Sequence, residues 1–360
     1  MAHQPYPLRH DAMLYPLFRH IAFRFDPELV HNVTFAFFHL FPGLMASIMP
    51  GIKTNPMRYG ISTKGLRWAF PVGVAAGLDK EAKAVEFLSR LGFGAIEVGT
   101  VTPKPQAGNP KPRIFRYPMR QSLRNTMGFP NSGQHKIAQN LRACPYHTCI
   151  GVNMGKNKNT PEHKAHEDYL TLYKTFAPIA NYLVINISSP NTPGLRNLQS
   201  EALLRELLAA LENERAKTPV SLFVKIAPDL SLKDAESILA VALEFKLSGL
   251  IATNTTLIQE MGQGGISGAL LYETSRTIRN HLAGLVKGNS EFEIIGVGGF
   301  FYFDEILDFW RHGGKLVQIY TSFIYRGPAI LKEVIQGIDR LLNQEKAGSI
   351  QELFDSNYFF

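Results

Sequence analysis

Eight short runs of apolar and β-branched residues, most of them closing on Gly, Thr, Asn or Ser, set the strictest limit on what this chain can fold into. They occupy residues 71–77, 95–100, 150–155, 182–188, 221–227, 249–254, 293–299 and 316–321. Each is close to continuously hydrophobic, which is the pattern of parallel strands covered on both faces. Helical patterns at 80–91, 201–214, 232–247 and 303–312 fall between them. Eight strand–helix units over ~250 residues predict an α/β fold of the (β/α)8 TIM-barrel type. A doubly wound sheet is the alternative, but no G-x-G-x-x-G opens a helix after any of these strands.

The first 50 residues follow a different pattern. Leu14, Leu17, Phe18, Ile21 and Phe25 recur at helical spacing. Asp26-Pro27-Glu28 then opens a second helix, with Asp26 placed to cap it and Pro27 at its first position. Val30, Val33, Phe37 and Phe41 share one stripe, Phe35 and Phe38 lie beside it, and Pro42-Gly43 ends the helix. The expected organisation is a helical hairpin over 1–50, a barrel over 51–345 and a tail over 346–360. The aromatic face either packs on the barrel or lies on a membrane as an amphipathic anchor, and the residues alone leave both open.

A spanning helix needs roughly 20 apolar residues. The best candidate, 33–49, is interrupted by His39, Pro42 and Gly43. His3, Arg9, His10, Asp11, Arg19 and His20 break any signal-peptide core. The expectation is a chain that is neither secreted nor membrane-spanning. Segment 101–149 is too long for an ordinary strand–helix loop and is expected to serve a functional site.

A net charge of +8 allows three acidic partners: nucleic acid, an anionic bilayer or a phosphorylated ligand. Half of the excess lies in residues 1–67, where Arg9, Arg19, Arg24, Lys53, Arg58, Lys64 and Arg67 stand against Asp11, Asp26 and Glu28. The 2 cysteines, Cys144 and Cys149, suit a reducing compartment. They bracket His147, but a zinc site needs a fourth ligand that the segment lacks, so no metal is expected.

Barrel active sites form at the C-terminal ends of the strands. Here those ends supply residues 75–80, Gly99-Thr100, Asn153, residues 186–191, Lys225, Thr253-Asn254-Thr255, Gly298-Gly299 and Tyr320-Thr321. Asp79 is the only acid in this set, and it contains no histidine or cysteine. That argues against a catalytic metal and against the paired carboxylates of glycoside hydrolysis. Amides, hydroxyls and two lysines suit a flat polar heterocycle carrying an anionic group. Loops after the seventh and eighth strands commonly hold phosphate. Gly298-Gly299 and Tyr320-Thr321 occupy those places, with residues 264–268 (GGISG) nearby, so flavin mononucleotide (FMN) fits both ends.

These residues carry a resemblance. Residues 76–80 (AGLDK), 97–103 (EVGTVTP), 186–196 (NISSPNTPGLR), 224–229 (VKIAPD), 251–256 (IATNTT), 295–299 (IGVGG) and 317–320 (VQIY) resemble the dihydroorotate dehydrogenase family over about residues 10 to 340. Asp26-Pro27-Glu28 and His31 in the N-terminal hairpin look like its class 2, membrane-associated, quinone-reducing branch. The resemblance implies oxidation of (S)-dihydroorotate to orotate in de novo pyrimidine (UMP) biosynthesis. It places FMN on Ala76, Gly77, Leu78, Asp79, Lys80, Thr100, Asn153, Asn186, Lys225, Thr253, Gly268, Gly299, Tyr320 and Thr321. It places dihydroorotate on Lys80, Asn125, Thr126, Met127, Gly128, Phe129, Asn186, Asn191, Asn254 and Thr255. Thr126 stands where relatives can carry arginine.

Ser189 is implied as the base that takes the C5 proton while the C6 hydride goes to FMN; class 1 relatives use cysteine there. Thr192 is the candidate relay partner, and residues 190–198 are the candidate lid. A membrane quinone is expected to reoxidise the flavin through the hairpin, with His20 and Arg24 as head-group candidates. The implied protein is a monomer in peripheral contact with a membrane surface, on the cytoplasmic face of the inner membrane if bacterial. A tRNA dihydrouridine synthase is the flavin-barrel alternative. It needs a catalytic cysteine near strands two and three and a basic C-terminal extension, so no nucleic-acid partner is expected. A non-enzymatic membrane-surface protein is the other rival.

Overall fold

The computed structural model describes residues 14–63, 65–145 and 148–359. Arg9, Asp11, Lys64 and His147, each weighed above, lie outside the described residues. Thirteen strands are present among those described: β1 (Ile61–Thr63), β2 (Leu66–Trp68), β3 (Val72–Val74), β4 (Ala95–Val101), β5 (Ile114–Tyr117), β6 (Ser122–Asn125), β7 (Cys149–Met154), β8 (Tyr182–Asn186), β9 (Ser221–Ile226), β10 (Gly249–Ala252), β11 (Gly265–Gly268), β12 (Glu293–Val297) and β13 (Val317–Ile319). Eight of them close a parallel barrel in the order β3-β4-β7-β8-β9-β10-β12-β13. These are the eight apolar runs of the sequence, and the fold is the expected (β/α)8 barrel.

The strands are buried along nearly their whole length, because helices cover the outside. In the barrel these are α5 (Val85–Arg90), α6 (Gln134–Arg142), α7 (Ala165–Phe176), α8 (Glu201–Lys217), α9 (Leu232–Glu244), α10 (Tyr272–Leu285), α11 (Phe303–Arg311), and α12 (Thr321–Arg326) with α13 (Ala329–Glu345). The short α4 (Pro56–Tyr59) and the β1–β2 hairpin precede the barrel. Residues 346–359 are not a loose tail: α14 (Ile350–Asp355) sets Phe354 against Trp310 at 5.5 Å between ring centroids, and Phe359 packs at 5.4 Å.

Two sequence expectations shift for local reasons. The helix expected from residue 80 begins only at Val85. Asp79 captures the Lys83 and Ala84 amides at 2.9 and 2.7 Å, and Ala82 takes φ +55, so 80–84 is a turn. The glycine-rich 264–268 is strand β11, paired antiparallel with β6 in a three-stranded sheet with β5. The long 101–149 excursion thus supplies a sheet standing over the barrel's C-terminal mouth, together with α6.

The N-terminal unit has three helices where a hairpin was expected: α1 (Leu14–Ala22), α2 (Pro27–Leu40) and α3 (Pro42–Ile48). Asp26 caps α2 as read, accepting from Leu29 N at 2.8 Å. Pro42-Gly43 ends α2 as read, at Leu40, but also opens a further helix. Pro42 suits a first helical position, so the helix restarts at 111° to α2. The stripe divides: Phe38 is buried, stacked on Phe87 at 3.7 Å, while Val33, Phe37 and Phe41 are exposed. Leu17, Ile21, Leu29 and Leu40 extend this uncovered apolar face. Among the described residues, no single helix is long and apolar enough to cross a membrane.

Candidate active site

The barrel's C-terminal mouth holds a cavity between the strand ends and the β5–β6 sheet. Its wall contains Ala76, Gly77, Lys80, Thr100, Asn186, Ser189, Lys225, Thr253, Gly268, Gly299, Tyr320 and Thr321, all anticipated as site residues. Asn125, Met127, Gly128, Phe129, Asn191, Asn254 and Thr255 complete the opposite side. Residues far apart in sequence therefore meet around one space, because they sit at or just past the C-terminal ends of barrel strands, or on and next to the covering sheet.

Four expected residues stand elsewhere. Asp79 is buried but spends both carboxylate oxygens on the turn before α5, so it is a structural cap. Leu78 lines a neighbouring apolar cavity. Thr126 works through its backbone, donating N–H to Arg113 O at 2.9 Å and accepting from Asn109 at 3.0 Å. Asn153 lies one layer behind the wall, where its Oδ1 accepts from Thr100 at 2.6 Å and from Asn186 at 2.8 Å.

That network continues downward into the barrel. Asn153 Nδ2 donates to Glu97 at 2.8 Å, and Gln318 Nε2 donates to the other Glu97 oxygen at 2.7 Å. Sequence reading missed Glu97 and Gln318, although a carboxylate inside an apolar parallel run was the available signal. Lys225 is buried above them; desolvation lowers its pKa, and the Glu97 charge opposes the fall. Gln318 Oε1 is buried without a protein partner although the residue lines the cavity. A ring N–H in the cavity would satisfy it. At the other end, a Cβ on Gly299 would sit 2.5 Å from Tyr272, and one on Gly268 would meet Gln121 O at 2.3 Å. These contacts are with the protein's own chain and hold both turns tightly beside Thr321, and the donor set around the cavity fits a flavin nucleotide.

Ser189 is 6% exposed, and its Oγ accepts from Asn191 N at 3.2 Å. It does not engage Thr192, which is buried nearby. Asn254 Nδ2 donates to Ser188 Oγ at 3.0 Å, which in turn donates to Asn186 Oδ1 at 3.1 Å. Lys80 is pushed down to about 8 by burial, against the pull of Glu28 and Asp79. Asn191 reaches across the cavity to Asn125, donating to its carbonyl at 3.1 Å and to Oδ1 at 3.0 Å.

A second, apolar cavity lies between α1, α2 and the barrel, and meets the first at Ile114, Leu123 and Tyr320. Phe18, Ala22, Val30, Phe35 and Phe38 line it, with Arg19, His31, Thr34 and Arg116 among its polar members. His20 and Arg24 are not in this wall. They pair with each other at 2.9 Å on the surface. His31, one helical turn beyond Glu28, is held neutral by burial, far below the usual histidine range.

Both cysteines are remote from this mouth. Cys149 opens β7 at the opposite barrel end, where burial pushes its thiol up to about 12, and Cys144 is half-buried before it.

Comparison with known proteins is consistent across sequence and structure. The family model for dihydroorotate dehydrogenase matches residues 60–342. A protein of Nitratiruptor sp. named dihydroorotate dehydrogenase (quinone) is 42% identical over 349 residues, covering 94% of this chain and 98% of its own. Its namesake in Aeromonas salmonicida is 42% identical, covering 91% and 100%. The crystal structure of DHODH from Eimeria tenella in complex with ferulenol superposes with TM-score 0.81 at 35% identity, covering 91% of this chain and 94% of that one.

Proposed function

This chain belongs to the dihydroorotate dehydrogenase family and oxidises dihydroorotate to orotate in pyrimidine biosynthesis, and we propose that it does so with bound FMN, Ser189 as base and a membrane quinone as final acceptor. The observation that carries the reading is a pair of adjacent cavities that share Ile114, Leu123 and Tyr320 in their walls: one with Ser189 and Lys80, and an apolar one between the N-terminal helices and the barrel.

Ala76, Gly77, Thr100, Asn186, Lys225, Thr253, Gly268, Gly299, Tyr320 and Thr321 would hold FMN, with Asn153 bracing Thr100 and Asn186 from behind. FMN, when bound there, would supply a two-electron acceptor for the hydride leaving C6 and a donor for the quinone. Lys225 sets a positive charge at the ring end of that site. Lys80 would take the substrate carboxylate, and Asn125, Asn191 and Asn254 the ring amides.

Ser189 Oγ would take the C5 proton as its own hydroxyl proton leaves through a relay, for which the buried Thr192 is the candidate. A serine hydroxyl is intrinsically a weak base, so its burial and fixed orientation by Asn191 N carry the argument, together with exclusion of water by residues 190–198. Negative charge developing at C5 spreads to the adjacent carbonyl oxygen, where the amide side chains stabilise it.

The uncovered apolar face of α1 to α3, with Arg19, Arg24 and Lys53 on the same unit, would rest on an anionic membrane surface as a peripheral monomer. The quinone would then enter between α1 and α2. Arg19, His31 and Arg116 are better placed for its head group than His20 and Arg24. The test is bleaching of the flavin by dihydroorotate, followed by reoxidation trials with quinone, fumarate and NAD. Quinone alone should restore the spectrum efficiently, and equal recovery with NAD would refute the acceptor.

A further inference from the structure

A continuous chain of hydrogen bonds ties α2 to the substrate side of the polar cavity. Glu28, 8% exposed, clasps Arg113 with both oxygens: Nε donates to Oε2 at 3.0 Å and Nη2 to Oε1 at 2.7 Å. Lys111 stands 3.3 Å from the same carboxylate. On its far side the Arg113 guanidinium donates to the Ala107 and Asn109 carbonyls at 2.6 and 2.8 Å. Asn109 is the next link. Its Nδ2 donates to Thr126 O at 3.0 Å and to Asn191 O at 3.2 Å, and its backbone N–H donates to Met127 O at 2.9 Å. Gly128 presses on the same side chain, since a Cβ there would sit 2.7 Å from the Asn109 carboxamide.

Thr126 and Met127 belong to the 125–129 segment, and Asn191 to the loop above Ser189. One asparagine side chain thus fixes two segments that close over the substrate from different parts of the chain. Its own place depends on Arg113, and Arg113 is buried and needs a counter-charge, which Glu28 on α2 supplies.

We propose that Glu28 is a positioning residue for the dihydroorotate subsite, acting from the membrane-facing helix through Arg113 and Asn109, so that seating of α2 and closure of the substrate cavity are coupled. The proposal rests on the dihydroorotate reading given above. It also has an electrostatic arm. Glu28 and Lys80 line one groove between α2 and the barrel mouth. The charged and titratable groups around it are Asp79, Glu81 and Lys83 on the Lys80 segment, Glu28, His31 and His39 on α2, and Arg113 before β5. Among the charges that oppose the burial-driven fall of Lys80 to about 8, Glu28 is the largest. Without it, the ammonium that faces the substrate carboxylate is lost at lower pH.

The experiment compares full-length wild type with Glu28→Gln, Glu28→Asp and Asn109→Ala. It reads calorimetric orotate binding across the pH range bracketing about 8 and amide hydrogen exchange of ligand-free protein over residues 107–129. Glu28→Gln should weaken orotate binding about tenfold, speed exchange in 107–113 and 125–129, and move the alkaline loss of affinity to lower pH. Asn109→Ala should weaken binding and speed exchange in 125–129 without moving that limb. Glu28→Asp keeps the charge but withdraws the two-pronged clasp, so it should loosen the loops and leave the limb in place. It also carries the coupling test if Glu28→Gln fails to fold. Unchanged exchange in both Glu28 variants overturns the coupling, whatever happens to orotate. Exchange that responds as stated, in a wild type that does not bind orotate, counts instead against the functional reading.

Discussion

Arg196 and Asp229 form an ion pair at 2.9 Å that binds the loop above the active site to the end of β9. The same guanidinium donates Nε to Ser188 O at 3.0 Å and Nη2 to Thr255 O at 2.9 Å, so it touches the ends of three successive barrel strands. A partly exposed ion pair by itself contributes little, whereas a planar fork with three fixed acceptors orients what it holds. Asn197 adds a bond to Glu162 at 2.8 Å on the outer side of the loop. The 190–198 loop is therefore anchored behind Ser189, and its cavity-facing part is the Asn191 side.

Replacing the fork should show this. Arg196→Lys keeps the charge and loses two of the three directions, so kcat/KM for dihydroorotate should fall roughly ten- to hundredfold. Stopped-flow flavin reduction measures the step directly, and a wild-type rate would mean that the loop holds its shape without Arg196.

Ser189→Ala removes the proposed base and leaves the cavity walls intact. The variant should retain its flavin spectrum and lose roughly 10²- to 10⁴-fold in dihydroorotate oxidation at neutral pH. Retention of full turnover would exclude Ser189 from proton abstraction.

Filling the apolar cavity separates the two half-reactions. Ala22 lines that cavity and is 8% exposed, so Ala22→Trp would project a large ring into the path between α1 and the barrel. The KM for quinone should rise about tenfold, while flavin reduction by dihydroorotate keeps its rate. Loss of both together would place Ala22 on a shared structural element instead of a quinone path.

What was legible in the sequence follows the range of the forces involved. The eight strands were readable because each is buried on both faces and so must be apolar along its length. The Asp26 cap was readable because its partner, the Leu29 amide, lies three residues away. The cavity wall followed from the strand ends once a barrel was accepted. Glu97 and Gln318 escaped because their bond joins residues 221 positions apart, and neither stands at a strand end. Asp79 was expected in the cavity wall because a carboxylate in a strand-end motif reads the same whether it faces a ligand or its own following turn. Arg116 was overlooked in favour of His20 and Arg24 because it belongs to the excursion sheet. Only its fold back over α1 and α2 brings it to the apolar cavity.

One further prediction concerns stability away from the site. Glu293 begins β12 at the end of the barrel opposite the active site, and burial raises its pKa from 4.5 to about 7, with nearby Lys315 only partly offsetting the effect. The folded state therefore holds a proton that the unfolded chain releases between those two values. Stability is unpenalised by this group below pH 4.5, declines as pH rises, and levels off above about 7, where a buried carboxylate is charged. Glu293→Gln cannot ionise and should remove that decline. Its melting temperature should match wild type in acid and exceed it by about a few degrees above neutrality, with dihydroorotate turnover unaltered. A variant whose advantage is the same at acid and alkaline pH would show that Glu293 does not titrate in the folded protein.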